Sequence, residues 1–266
     1  MREALNSYKV NFLRWMSICC GVGLLLVSAS VLADSLKGHA ISELRPLPDG
    51  VTLPVQLGKT LRSGKTKPGT VFTVTTTQRV PVSEETYLDR GAKLRGEVVT
   101  STAGDGTGAH PAVLVIRFTH LSYRGQTVPV VARAVAAASR LAVDSTYLPT
   151  TPSFDQFTSN PASWTTRQVG GELVARSGWV GPVVADGLHI VGSADYYGVY
   201  SLPLETDEVR FPKAIGIFST TAKGMYGYEE GATLESSEGV ISMTSPERSA
   251  VIRNGEHLLL EVVAGR

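Results

Sequence analysis

The sequence is poor in cysteine, because only Cys19 and Cys20 are present in its 266 residues. Both lie in an apolar N-terminal segment, which we interpret below as an export signal. Removal of that segment leaves a mature chain without a thiol. Such a chain has no disulfide, no cysteine nucleophile and no thiolate ligand for a metal ion. Its core must therefore be held by burial of apolar side chains, for which roughly 230 residues are sufficient.

The chain also lacks an excess of charge of either sign. Its formal net charge is +1, and no run of lysine or arginine marks a basic patch. Outside residues 1–33 there are 22 basic and 23 acidic residues. This balance provides no electrostatic reason to expect nucleic acid as a partner. Hydrophobic residues make up 42% of the chain, so a folded protein with a proper core is expected.

Catalytic and metal-binding motifs are absent as well. The Gly104–Gly108 segment looks like a phosphate loop, but a strand pattern rather than a helix follows it, so we interpret it as a hairpin loop. No two histidines have the close spacing of zinc ligands, and no G-x-S-x-G or S-x-x-K motif stands out. We therefore predict no catalytic, cofactor-binding or metal-binding residue, no cofactor, and a protein that is not an enzyme. A hydrolase with two separated carboxylates is an alternative.

Residues 1–33 have the pattern of a signal peptide. Basic residues near the start are followed by an uncharged segment at 16–33. Compact residues before Asp34 predict cleavage between Ala33 and Asp34. We therefore expect an exported protein of the periplasm or the cell surface. The alternative is an uncleaved inner-membrane anchor formed by residues 16–33, a run at the short limit for spanning a bilayer.

After the leader, β patterns replace helical periodicity. Residues 34–50 are polar and contain two prolines, which predicts an extended lead-in. Turn glycines followed by alternating apolar residues are typical of antiparallel strands. We predict a small antiparallel barrel over 51–143, with a hairpin turn at 123–126. The predicted strands are Val51–Leu57, Val71–Val80, Leu94–Thr100, Ala112–Leu121 and Thr127–Val131.

The second half of the chain is predicted to form another antiparallel β domain. The pattern of the alanine-rich segment 132–143 fits either a short helix or a continued strand. Residues 144–167 are rich in proline, serine and threonine and are predicted to be a linker or long loop. The second β domain is predicted over 168–266, with Asn254-Gly255 as a hairpin signal. Its predicted strands are Glu172–Ala175, Gly187–Val191, Tyr197–Leu202, Ala214–Ser219, Met225–Tyr228, Thr233–Glu235, Gly239–Met243, Ala250–Ile252 and His257–Val263. The expected fold class is all-β, with short helices or none after the leader.

One aromatic group indicates a possible ligand surface. It comprises Trp179, Tyr196, Tyr197 and Tyr200, whose flat rings can stack on sugars or anchor a protein partner. Tyr197 and Tyr200 have opposite parity along a strand, so at least one of them is expected to face the core. We interpret the group as core or corner packing, with a carbohydrate-binding surface as the alternative.

Four turn-and-strand motifs follow one another in the first half of the chain, at Pro68–Val71, Asp89–Val98, Leu114–Leu121 and Gly125–Val130. Together they resemble the barrel of the TrbI-like proteins of conjugation and type IV secretion core complexes. Over the remaining length the chain is similar to exported, uncharacterised bacterial proteins, especially from Acidobacteria. The first resemblance implies a β-barrel and an envelope scaffold with an inner-membrane anchor.

The expected function is that of an exported, non-enzymatic structural or interaction module of the cell envelope. Its partner is expected to be an envelope protein or a glycan, with membrane contact only through the N-terminal segment if that segment is not cleaved. The alternatives are a carbohydrate-binding protein, a membrane-anchored component of a secretion-like complex, and a hydrolase with an unrecognised site.

Overall fold

The computed structural model describes residues 38–148, 163–177, 180–185, 189–203, 209–237 and 239–264. The predicted signal peptide at 1–33, its cleavage site at Ala33 and Asp34, the linker residues 149–162 and Trp179 lie outside them. The described residues from His39 onward belong to a single unit. Nearly all of its regular structure is β-strand, so the predicted all-β fold class is confirmed. No helix within the described ranges has the length and apolar character that a membrane span needs.

The described ranges contain 21 strands and one helix. The elements up to residue 148 are β1 (His39–Ala40), β2 (Thr52–Leu57), β3 (Leu61–Arg62), β4 (Val71–Thr76), β5 (Val80–Pro81), β6 (Thr86–Leu88), β7 (Lys93–Thr102), β8 (Ala112–Tyr123), β9 (Gln126–Pro129), β10 (Ala132–Ala138) and α1 (Arg140–Ser145). The later strands are β11 (Ser163–Arg167), β12 (Leu173–Ser177), β13 (Gly181–Val184), β14 (Ile190–Asp195), β15 (Gly198–Ser201), β16 (Lys213–Ala214), β17 (Gly224–Tyr226), β18 (Thr233–Ser237), β19 (Val240–Ser245), β20 (Val251–Ile252) and β21 (His257–Val262).

The largest sheet is a nearly closed barrel in the order β17-β10-β21-β2-β4-β7-β8-β19-β18, with β9 added beside β8. All of its pairs are antiparallel except β10 with β17. A side chain links β10 to β18, the strand at the far end of this order. The Ser236 hydroxyl accepts a hydrogen bond from the Ala134 N–H at 3.0 Å and donates one to the Ala134 carbonyl at 3.3 Å.

The core of the barrel follows the period-two alternation of its strands. In β8 the side chains of Ala112, Leu114, Ile116 and Phe118 are buried, while those between them are partly or fully exposed. One side chain in two therefore faces inward, as the alternation predicts. Other fully buried side chains of the barrel strands include Leu53, Val55, Leu57, Val74, Leu94, Val98, Ile241, Leu258 and Leu260.

Two predicted hairpins have different outcomes. The turn after β8 is a hairpin, in which Tyr123 pairs with Gln126 across a two-residue loop that has positive φ at both positions. This is the conformation of the tight turns that join twisted antiparallel strands. The hairpin predicted at Asn254-Gly255 is wrong. The chain does turn there, but β20 pairs with β3, while β21 lies between β10 and β2.

The alanine-rich segment 132–143 contains both of the structures that its sequence left open. It continues as β10 up to Ala138, and Ser139 then caps α1, with its hydroxyl accepting from the Ala142 N–H at 3.4 Å. The small side chains of Ala136 and Ala138 leave room for neighbouring groups to pack against the strand. The buried cluster formed there consists of Ala136, Ala138, Val143, Val169, Phe218, Ala222 and Leu259.

The second sheet is a six-stranded antiparallel meander in the order β11-β12-β13-β14-β15-β16. Its own buried cluster consists of Val174, Val183, Ala194, Val199 and Ile215. The strand predicted over Ala214–Ser219 is wrong beyond Ala214, because the chain turns at Gly216 and Ile217. The later strands β17, β18, β19 and β21 belong to the barrel and not to the meander. The two sheets therefore do not divide the chain at the predicted linker.

Candidate functional site

A cavity of about 440 Å³ opens beside the hairpin that joins β14 to β15. Its volume lies within the range of roughly 300–1,000 Å³ that is usual for small-molecule sites. We call it the tyrosine-rimmed cavity, because the exposed side chains of Tyr147, Tyr196 and Tyr197 line it. Its inner wall includes Gln78 and His257, both of which are buried.

The hairpin that carries two of these tyrosines is held by one carboxylate. Asp195 pairs with Gly198 across the tip, which leaves Tyr196 and Tyr197 as the two loop residues. The Asp195 Oδ1 atom accepts from the Tyr197 N–H at 2.7 Å and from the Gly198 N–H at 2.9 Å. Burial raises the pKa of Asp195, and these two hydrogen bonds oppose that shift. The loop backbone is thus fixed by its own side chain.

A buried amide attaches the hairpin to the connection between β4 and β5. Gln78 donates from Nε2 to the Val199 carbonyl at 2.9 Å and accepts at Oε1 from the Val199 N–H at 3.0 Å. Gly198 is needed beside it, because a Cβ atom there would lie 2.5 Å from the Gln78 Cδ atom. Only glycine therefore lets the strand approach this amide so closely.

Arg79 holds the same hairpin through stacking. Its guanidinium lies 3.4 Å from the ring centre of Tyr197 and 3.7 Å from that of Tyr87. Its backbone N–H donates to the Tyr197 carbonyl at 3.0 Å, and its Nη2 atom lies 3.5 Å from Asp89 Oδ1. Cation–π contacts of this kind are strongest where the cation is shielded from water, and the Arg79 side chain is only 11% exposed. Tyr197 is therefore fixed in place as part of the cavity wall.

The four aromatic residues singled out in the sequence have three different positions. Tyr196 and Tyr197 are 68% and 52% exposed and lie together at the cavity. Tyr200 is completely buried, so it belongs to the core and not to a ligand surface. Tyr200 is thus the one of the pair Tyr197 and Tyr200 that faces the core. Tyr197 lies in the hairpin loop before β15, so strand parity does not set its direction. Trp179 lies outside the described residues.

His257 is a cavity residue that sequence reasoning missed. It is 4% exposed, and its Nδ1 atom is buried without a hydrogen-bond partner among the described residues. Burial, with a smaller contribution from the positive charge of Arg140, lowers the pKa of His257 to about 4. The ring is therefore neutral at neutral pH. The available signal was a polar residue at the start of the otherwise apolar run of β21.

The cavity wall is polar but nearly uncharged. Among the described residues that line it, only Arg90 and Asp195 carry a formal charge at neutral pH, and their charges are opposite. Its other polar side chains include the hydroxyl and amide groups of Thr77, Thr146 and Gln168. Such a wall is suited to a neutral polar ligand.

A second cavity, of about 620 Å³, has a different character. It is lined by the basic residues Arg133, Lys213 and Lys223 and by Glu261. Arg133 is bonded to Glu261 at 2.7 Å. Neither cavity has two carboxylates among its described lining residues, which a glycosidase-type site needs. The part of the chain that the structure describes also contains no group of three residues able to hold a metal ion.

Fold and site together define an all-β protein with a barrel sheet, an antiparallel meander and an aromatic-rimmed polar cavity. Comparisons of the chain with family models, with curated proteins and with solved structures return no match. The similarity to TrbI-like barrels therefore rests on the four sequence motifs alone.

Proposed function

We propose that the protein is a non-enzymatic interaction module of the bacterial cell envelope, and that it binds a carbohydrate chain in the tyrosine-rimmed cavity. One observation carries this proposal. Tyr196 and Tyr197 are adjacent and exposed at the cavity, on a hairpin tip that Asp195, Gln78 and Arg79 hold in position.

Exposed tyrosines at a polar cavity are suited to sugar recognition. A sugar ring has faces of C–H groups that stack on aromatic rings, and its hydroxyl groups need polar partners around its edge. Rigidity adds to the affinity, since a fixed hairpin loses little conformational freedom when the ligand binds. Tyr197 is stacked on Arg79, and Tyr196 is the more exposed of the two rings, at 68% against 52%.

Binding of the purified protein to an array of bacterial envelope and plant oligosaccharides, followed by calorimetry with the strongest ligand, tests the proposal. Tyr196→Ala is expected to weaken binding by about tenfold or more, as truncation of a central aromatic contact usually does. The matched control is Ile190→Ala, which removes a 49% exposed side chain from the same hairpin but outside the cavity wall. Absence of binding to every glycan, or equal affinity of the Tyr196→Ala variant, would overturn the proposal.

The envelope location is proposed from the N-terminal sequence. Fractionation of the host and intact-mass measurement are expected to recover a soluble chain that begins at Asp34. A membrane-bound protein that retains Met1 would instead support the anchored alternative, in which residues 16–33 stay in the membrane.

A further inference from the structure

The most buried polar side chain of the cavity wall has one nitrogen atom without a hydrogen-bond partner among the described residues. His257 is 4% exposed, lines the cavity, and has an Nδ1 atom without a hydrogen-bond partner among the described residues. Buried polar atoms in folded proteins are nearly always hydrogen-bonded, because an unpaired one is costly. An exception at the inner wall of a cavity points to a partner that comes from outside the chain.

The protonation state of His257 determines which hydrogen-bonding groups that partner must have. Burial and the positive charge of Arg140 keep the ring neutral, with a pKa of about 4. A neutral imidazole has one nitrogen that donates a hydrogen bond and one that accepts. A ligand hydroxyl matches either nitrogen, whereas an ammonium group or a carboxylate matches only one.

Three other side chains of the cavity wall already use their hydrogen-bond donors within the protein. The hydroxyls of Thr77 and Thr146 donate to backbone carbonyl oxygens at 3.2 Å and 2.8 Å. The side-chain amide nitrogen of Gln168 donates to two backbone carbonyl oxygens, at 2.8 Å and 3.3 Å. These groups therefore have only oxygen lone pairs available to a ligand, and this part of the wall accepts hydrogen bonds.

We infer that the ligand of the tyrosine-rimmed cavity is a neutral, hydroxyl-rich sugar, whose hydroxyl groups hydrogen-bond to His257 and donate to the oxygen atoms of Thr77, Thr146 and Gln168. This inference rests on the proposed function and specifies its ligand class. The acceptor part of the wall disfavours carboxylate and phosphate groups, which offer no donors when ionised. Among the described lining residues the charge of Arg90 is balanced by that of Asp195, so these residues carry no net positive charge for an anionic glycan.

Calorimetric titration with maltotriose, cellotriose and chitotriose, and with the acidic trigalacturonate, tests the ligand class. At least one neutral trisaccharide is expected to bind, and at least about tenfold more tightly than trigalacturonate. Preference for trigalacturonate would overturn the inference while leaving a glycan-binding function in place. No binding of any of the four would overturn the inference as well.

The role of His257 is tested with His257→Leu, which replaces the unpartnered ring by an apolar side chain of similar size. Affinity for the neutral trisaccharide is expected to fall about tenfold, while the unfolding temperature stays the same or rises. His257→Gln keeps a donor and an acceptor and is expected to recover most of the affinity. The control is His120→Leu, which changes an exposed histidine of β8 outside the cavity wall and is expected to bind as the parent does.

A further variant covers the case in which His257→Leu does not fold. Thr77→Val removes one acceptor oxygen and keeps the shape of the side chain, so affinity is expected to fall several-fold. Unchanged affinity in the Thr77→Val variant, or in a folded His257→Leu variant, would sink the inference. If Tyr196→Ala still abolishes binding in that case, the proposed function stands without it.

Discussion

The carboxamide of Gln78 forms a pair of hydrogen bonds with the backbone of Val199, at 2.9 Å to its carbonyl and 3.0 Å from its N–H. The Ile215 N–H also donates to the Val199 carbonyl, at 2.9 Å, so this side chain and the neighbouring backbone together satisfy the polar groups of one residue of β15. Gln78 and Val199 are 121 positions apart in the sequence. Through this contact the hairpin of the meander is attached to the β4–β5 connection, and the wall of the tyrosine-rimmed cavity is completed.

Gln78→Leu is expected to lower the free energy of unfolding by about 1–3 kcal/mol, because it removes the side-chain partner of the buried Val199 N–H and one of the two hydrogen bonds to the Val199 carbonyl. Urea denaturation measures the loss. The matched control is Gln56→Leu, since the Gln56 amide makes one longer bond of 3.4 Å to the Gly255 carbonyl. Equal losses in the two variants would show that the paired contact has no special role.

Gly198→Ala is expected to cost about 1–3 kcal/mol, because its Cβ atom would lie 2.5 Å from Gln78 Cδ. The loss is expected to shrink in a Gln78→Ala background, where the colliding amide is absent. Gly58→Ala is the control, since its nearest neighbour would be the Thr73 carbonyl oxygen at an ordinary 3.4 Å. A Gly198→Ala loss that does not depend on Gln78 would contradict this steric explanation.

Arg79→Lys is expected to loosen the tip of the hairpin while preserving the charge. A lysine cannot reproduce the planar stacking between Tyr87 and Tyr197, and the loss is expected to be about 1–2 kcal/mol. Amide hydrogen exchange at Tyr197 and Gly198 should become faster. Arg124→Lys is the control, because its guanidinium lies 5.1 Å from the Tyr123 ring and its side chain is 55% exposed.

His257 is expected to make the protein less stable in acid. Its pKa is about 4 in the folded protein, against an ordinary value of 6.5, so the unfolded chain takes up its proton first as the pH falls. The contribution is complete above pH 6.5 and is lost between pH 6.5 and pH 4, by about 3 kcal/mol in total. Arg140 is the charged neighbour that adds to the effect of burial.

Urea denaturation at several pH values between 7 and 4 measures this dependence. His257→Leu is expected to remove that part of the slope, whereas His120→Leu is expected to keep it, because His120 is exposed. A slope that persists in the His257→Leu variant would assign the acid sensitivity to other groups.

Local sequence patterns were sufficient for the fold class. The alternation in β8 and the turn between Tyr123 and Gln126 could be read directly, because both depend on residues that are close together in the chain. The burial of Tyr200 agrees with the expectation that at least one of Tyr197 and Tyr200 faces the core. The split of residues 132–143 into a strand and a helix did not follow, since both patterns fit its small alanines.

The sequence by itself determined that this chain forms antiparallel strands and that side chains alternate along a strand such as β8. Only the tertiary structure decided which strands pair, such as β8 with β19, and which side chains meet at the cavity. Gln78, Tyr196 and His257 come from three distant segments, and no local periodicity relates them. The physical reason is that side-chain alternation is set by the backbone of a single strand, whereas pairing and cavity geometry are set by contacts between strands far apart in the chain.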